Sequence, residues 1–93
     1  MTYIYAPAAV LYRAIELLDQ RGWCRGKFKD SSGALCALGA INQTYASEAA
    51  VFTAITHLRI EMGGSIQDFN DIDARDKSHV QQKMRKVAGA LES

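Results

Sequence analysis

The sequence predicts an all-α fold, a small compact domain of about four helices. Three observations predict it. Apolar residues recur at three- and four-residue spacing in 7–21, 47–62 and 77–91, the period of half-buried helices. Each run opens on a residue suited to a helix start: Pro7, Ser47, and Asp76 or Ser78. Two of them close on glycine, at Gly22 and at Gly63-Gly64. Period-two alternation is confined to Tyr3-Ile4-Tyr5 and to 26–33, where a short hairpin and an irregular loop are both open readings.

The first helix is expected over 7–21. Pro7 lacks only an N–H that a first turn leaves unpaired, and Leu11, Ala14, Ile15 and Leu18 make its apolar stripe, widened by Val10 and Leu17. The next segment, 22–33, is a connection holding Trp23, with Phe28 expected inward and Lys27 and Lys29 outward. A second helix is expected over 34–45. It is rich in small residues, and Gly39 inside it costs about 1 kcal/mol relative to Ala unless another element approaches closely. That marks it as the buried central element.

Ser47 caps a third helix, 47–62, with Val51, Ile55, Leu58 and Met62 at helical spacing and Phe52 and Ala54 beside them. In 65–76 Ile66, Phe69 and Ile72 recur every third residue. This predicts a loop of 3₁₀-like turns with three core anchors and a turn at Asn70-Asp71. A fourth helix, 77–91, buries Val80, Met84, Val87, Ala88 and Leu91, and places Lys83, Arg85 and Lys86 in its second half. Trp23 and Phe69 are expected to seal the ends of the bundle.

Ninety-three residues, 48% of them hydrophobic and 23% charged, make one folded domain over 1–93. The net charge of +1 does not by itself imply nucleic acid, but the charge is uneven: 47–74 has five acids and one base, and 75–93 has five bases and two acids. Two cysteines form no disulfide framework, no basic leader is visible, and no apolar run suggests a membrane span. A reducing cytoplasm with free thiols is the expectation.

Motifs for chemistry are sparse. Cys24, Cys36, His57 and His79 are the formal stock of a tetrahedral zinc site, but their spacing matches no compact finger. A Cys–His nucleophile would need long-range assembly that nothing local demands. Asp68, Asp71 and Asp73 read as turn and cap residues rather than acid–base pairs. Gly22-x-x-x-Gly26 lacks the Gly-Lys-Ser/Thr ending of a phosphate loop. No catalytic residue, metal or cofactor is therefore expected. Arg25, Lys27 and Lys29 with Trp23 and Phe28 interleaved, and Lys83 and Lys86 on the last helix, are the basic groups a partner would meet. Tyr12 and Tyr45 are aromatic candidates. Trp23, Cys36, Gly39, Phe69 and Asn70 are read as structural.

The order of motifs is a helix, Gly22-Trp23-x-x-Gly26, Cys36-x-x-Gly39-Ala40, and Phe69-Asn70-Asp71 before the last helix. It resembles an uncharacterised family of small proteins of actinobacteria and their phages, mycobacteriophages in particular, in which the position of Phe69 is usually Trp. The resemblance covers most of the chain. It implies a helical domain with structural motifs and no transferable activity. A stand-alone member of this size implies a phage protein that binds a host cytoplasmic protein without catalysis, sometimes to the detriment of host growth. Nucleic acid bound through the 25–29 loop and the last helix is the alternative partner. The oligomeric state is left open.

Overall fold

The computed structural model describes residues 4–92. Its elements run in the order α1 (Pro7–Arg21), α2 (Ala37–Asn42), α3 (Glu48–Met62), α4 (Ile66–Asp68), a π-helical turn (Phe69–Asp73) and α5 (Lys77–Glu92). Among the described residues there is no strand, only isolated bridges of Leu35 to Trp23 and to Lys29. The fold class is all-α. Of the predicted N-terminal arm, residues 1–3 lie outside the described residues. Ile4 is fixed by its carbonyl, which accepts the Ser47 amide at 2.9 Å.

α1, not the second helix as expected, is the central rod, because it is the element that packs against α2, α3 and α5 together. Pro7 sits at its first turn, and the Gly22 amide closes it on the Leu18 carbonyl at 2.9 Å. Val10, Leu11, Ala14 and Leu18 are fully buried and meet α2, α3 and α5. α5 returns Val80, Met84 and Ala88, also fully buried. The α1–α5 seam contains one polar tie. Gln81 Nε2 donates to the Ile15 carbonyl at 3.1 Å and to Asp19 Oδ1 at 2.9 Å, while Lys77 pairs with the same Asp19 oxygen at 3.0 Å. α5 starts on Asp76, whose Oδ1 accepts the His79 amide at 2.9 Å; of the two predicted caps, Asp76 is the one used.

Four further expectations need correction. The second helix is Ala37–Asn42, not 34–45. Ala34, Leu35 and Cys36 precede it as extended chain, because Leu35 is bonded on both sides: its amide to the Gly22 carbonyl at 2.9 Å and its carbonyl to the Cys24 amide at 3.0 Å. Cys36 then serves as the cap, its Sγ accepting the Gly39 amide at 3.3 Å.

Of the two open readings of 26–33 the loop is the one observed, and the correction concerns Phe28, which faces solvent, not the core. What turns inward is its backbone carbonyl, which accepts the Cys36 amide at 3.2 Å.

In place of 3₁₀ turns, 66–73 makes one α-turn and then a π-turn, closed by the Ala74 amide on the Phe69 carbonyl at 2.7 Å. The wider turn rotates Ile72 outward, to 75% exposure, and carries Asn70 inward to complete burial instead of leaving it in a surface turn.

On α3 the fully buried line is Ala54 and Leu58, with Ala50 nearly so. Val51, Ile55 and Met62 are only half-buried, and Phe52 is exposed. The helix is apolar on almost every side, so periodicity alone did not choose its inner face.

Candidate functional site

The three short motifs converge on one buried amide. Asn70 Oδ1 accepts the Trp23 indole N–H at 2.7 Å and the Ala37 amide at 2.9 Å. Asn70 Nδ2 donates to the Cys24 carbonyl at 3.1 Å and to Asp71 Oδ1 at 2.9 Å. The side chain thus satisfies the loop after α1, the first turn of α2 and its own neighbour at once. Only a group with both donors and acceptors can do this. The π-turn supplies the geometry, since it delivers Asn70 to the interior and Asp71 to its rim.

Asp71 extends the network outward. Its Oδ1 also accepts the Gly26 amide and its Oδ2 accepts Gln67 Nε2, both at 2.9 Å. Partial burial works against this carboxylate. The Gly26 amide, Asn70, Gln67 and the Arg25 charge outweigh it and hold the pKa below the ordinary value. The Cys36 thiol donates to Gln67 Oε1 at 3.7 Å, and burial pushes its pKa up. Burial, and secondarily the Asp30 charge, raises Cys24 as well. Both shifts favour the thiol over the thiolate.

The network grips the loop from two further sides. Arg25 lies over the Trp23 ring, 4.5 Å from its centroid, and donates through Nη2 to the Ala74 carbonyl at 2.6 Å. Its guanidinium clamps the loop to 74–75 from an exposed position, so its contacts are already partly used within the chain. At the other end, Asp30 Oδ1 accepts the Ser32 amide at 2.9 Å, the Ser32 hydroxyl at 2.7 Å and the Ala34 amide at 3.0 Å. These donors, Ser32 foremost, hold the Asp30 carboxyl below its usual range despite some desolvation.

Gly39 lets the loop close, because a methyl group at its Cα would overlap the Phe28 carbonyl oxygen. The product of the whole construction is a braced backbone from 22 to 36. It leaves Lys27, Phe28 and Lys29 exposed, with Phe28 at 57%.

The other sequence-derived candidates are scattered over other elements. Lys83 and Lys86 share one partner on α3, each 3.3 Å from Glu61 Oε2, so the basic end of α5 is partly offset by α3. Tyr12 bonds to Glu92, which raises its pKa. Tyr45 stands 73% exposed between α2 and α3. His57 is exposed on α3, whereas His79 lies edge-on to Phe69 at 5.1 Å and accepts the Arg75 amide through Nδ1 at 3.2 Å. Among the described residues no three His, Cys, Asp or Glu side chains gather to hold a metal ion. Asp71 and Gln67, which join the network, were missed as partners. Their only sequence signal is adjacency to Asn70 and a four-residue helical spacing.

A small all-α domain with a buried asparagine stapling its connections is the class that fold and site define. The chain belongs to the family of unknown function DUF6197, whose model matches residues 3–90. No curated protein and no solved structure gives a significant match.

Proposed function

We propose that this chain is a non-catalytic binding module that recognises a protein through the Lys27-Phe28-Lys29 loop. One observation carries the reading. The buried network, two glycines and an aspartate-centred turn all brace this loop, yet its aromatic side chain is turned out into water. A preorganised loop loses little entropy on binding, and an exposed aromatic is a common anchor of protein interfaces.

Lys27 and Lys29 flank the ring and have no ion-pair partner among the described residues. The complementary surface is an apolar pocket rimmed by carboxylates. The reading extends to a partner in an actinobacterial cytoplasm, with impaired host growth as the outcome of capturing it; the motif resemblance to proteins of actinobacteria and their phages is what supports it.

The test compares tagged wild type with Phe28→Ala and with Lys27→Glu/Lys29→Glu in nuclease-treated actinobacterial lysate. A protein retained by the wild type should be lost by both variants while their melting is unchanged. Equal retention by all three would end the reading. Capture abolished by nuclease would favour nucleic acid, for which the same aromatic between two lysines is the supporting feature. Against that alternative stand Arg25, engaged by Trp23 and the Ala74 carbonyl, and Lys83 and Lys86, which share the Glu61 carboxylate.

A further inference from the structure

α3 shows an apolar face to solvent at residues different from those of the loop contact. Phe52 and Ile60 stand 72% and 74% exposed on it. Beyond them the surface is hollow. A depression of about 340 Å³ is lined by Thr56, Arg59, Ile60, Gly63 and Gly64. Neither glycine would meet a neighbour within 4 Å if it carried a Cβ, so the hollow is open at that end.

Positions 56, 59, 60 and 63 are spaced as i, i+3, i+4 and i+7. Those are the four corners of the hole that receives one side chain from a facing helix. Phe52, one turn before Thr56 on the same face, is a knob of suitable shape.

In a closed pair, both knobs and both holes are filled only when the second copy lies antiparallel, with the symmetry axis halfway between knob and hole; a parallel, staggered copy would leave an open array. Halfway between Phe52 and the centre of the hole is Thr56. We infer that two copies of this chain pair through the outer faces of α3, antiparallel about a twofold axis at Thr56, each Phe52 seated in the hollow of the other copy.

The rest of the face agrees with this register. Ala49 falls opposite Gly63, two small residues where the helices must approach. Outward from the axis the face then reads large and small in both directions. Glu48 lies near one end of the face and Arg59 toward the other, and neither side chain has an ion-pair partner among the described residues. Antiparallel pairing brings opposite charges to the same end, whereas parallel pairing would stack like on like. One helix face per chain is a small interface, so the pairing is reversible and concentration-dependent.

Sedimentation velocity over a wide concentration range tests the pairing, and cysteine cross-linking tests its register. Wild type should pass from monomer to dimer as concentration rises. Phe52→Asp, at a solvent-facing site, should keep its helical circular dichroism and weaken the dimer by about thirtyfold or more.

In a Cys24→Ser background, Thr56→Cys should give a disulfide-linked dimer on mild oxidation, because a residue on the axis meets itself. Glu48→Cys should not, since its two copies lie roughly 24 Å apart along the helices at 1.5 Å per residue. A wild type that stays monomeric throughout, a Phe52→Asp variant that dimerises fully, or Glu48→Cys cross-linking as readily as Thr56→Cys would each overturn the inference. None of these results touches the loop reading, which is judged on Phe28 and its lysines.

Discussion

At the Asn70 junction a fully buried amide answers an indole N–H, a helix amide and a loop carbonyl, whereas on α3 Phe52 and Ile60 stand about three-quarters in water. One region is polar inside and the other is apolar outside. Among the described residues no buried side-chain nitrogen or oxygen lacks a partner, so the junction carries no unpaired cost. The α3 face has no such closure within the chain. The difference teaches that the first region is finished by folding, while the second keeps apolar surface that folding leaves in water. The two should respond oppositely to substitution.

The largest expected effect is at the hub. Asn70→Ala strands the Trp23 indole N–H, the Ala37 amide and the Cys24 carbonyl. At roughly 1–3 kcal/mol for each unsatisfied buried group, a loss of about 3–5 kcal/mol should appear in urea denaturation. Asn70→Asp keeps the acceptor for Trp23 and Ala37 but loses the donor to Cys24 and sets a second carboxylate beside Asp71, so it should not rescue. Wild-type stability in either variant would break the claim that the junction is closed by hydrogen bonds.

Gly39→Ala comes next, with about 3 kcal/mol expected from overlap with the Phe28 carbonyl. Its selective signature is disorder of the 24–30 loop amides in NMR while α1 and α5 keep their shifts.

A smaller effect is expected from pH. Asp71 and Asp30 have folded-state pKa values below the ordinary 3.8. Their contribution is present above the unfolded value and is lost as pH falls through the lower folded values. Stability should therefore decline below about pH 3.8 and stay flat in this respect at neutrality. Asp71→Asn should flatten part of that acid limb.

The smallest effects belong to the exposed aromatics. Phe28→Ala and Phe52→Ala should change stability by no more than about 0.5 kcal/mol, which is what makes them clean probes of binding. A large loss at either would mean that its ring is packed, and would erase the contrast between the regions.

The helices were legible where amphipathicity was strong. Pro7, Gly22, Ser47 and Gly63 mark ends that local chemistry dictates, and the bounds of α1 and α3 follow from them. Legibility failed wherever a residue's partner lay far along the chain. Leu35 reads as helix by type, but it lies between backbone groups of Gly22 and Cys24 and becomes extended. Asn70 has the look of a surface turn residue, and only the distant Trp23 and Cys24 make its burial favourable. Alternation points Phe28 inward, yet the inward group is its carbonyl. On α3 the pattern was ambiguous in itself, because apolar residues surround the helix and burial is decided by α1 and α5 rather than by period. The motif residues Trp23, Cys36, Gly39 and Asn70 stood out in the sequence. That they touch one another did not.

The braced loop has a consequence for proteolysis. Lys27 and Lys29 offer a lysine-directed protease two accessible side chains, but cleavage needs several residues of free, extended backbone in the enzyme's cleft. Here the backbone is committed at Cys24, Gly26, Phe28 and Asp30. Scission after either lysine must therefore wait for the grip of Asp71 and Cys36 to open. The cutting rate would count those openings directly, as a clock set by the junction rather than by the melting of the whole domain.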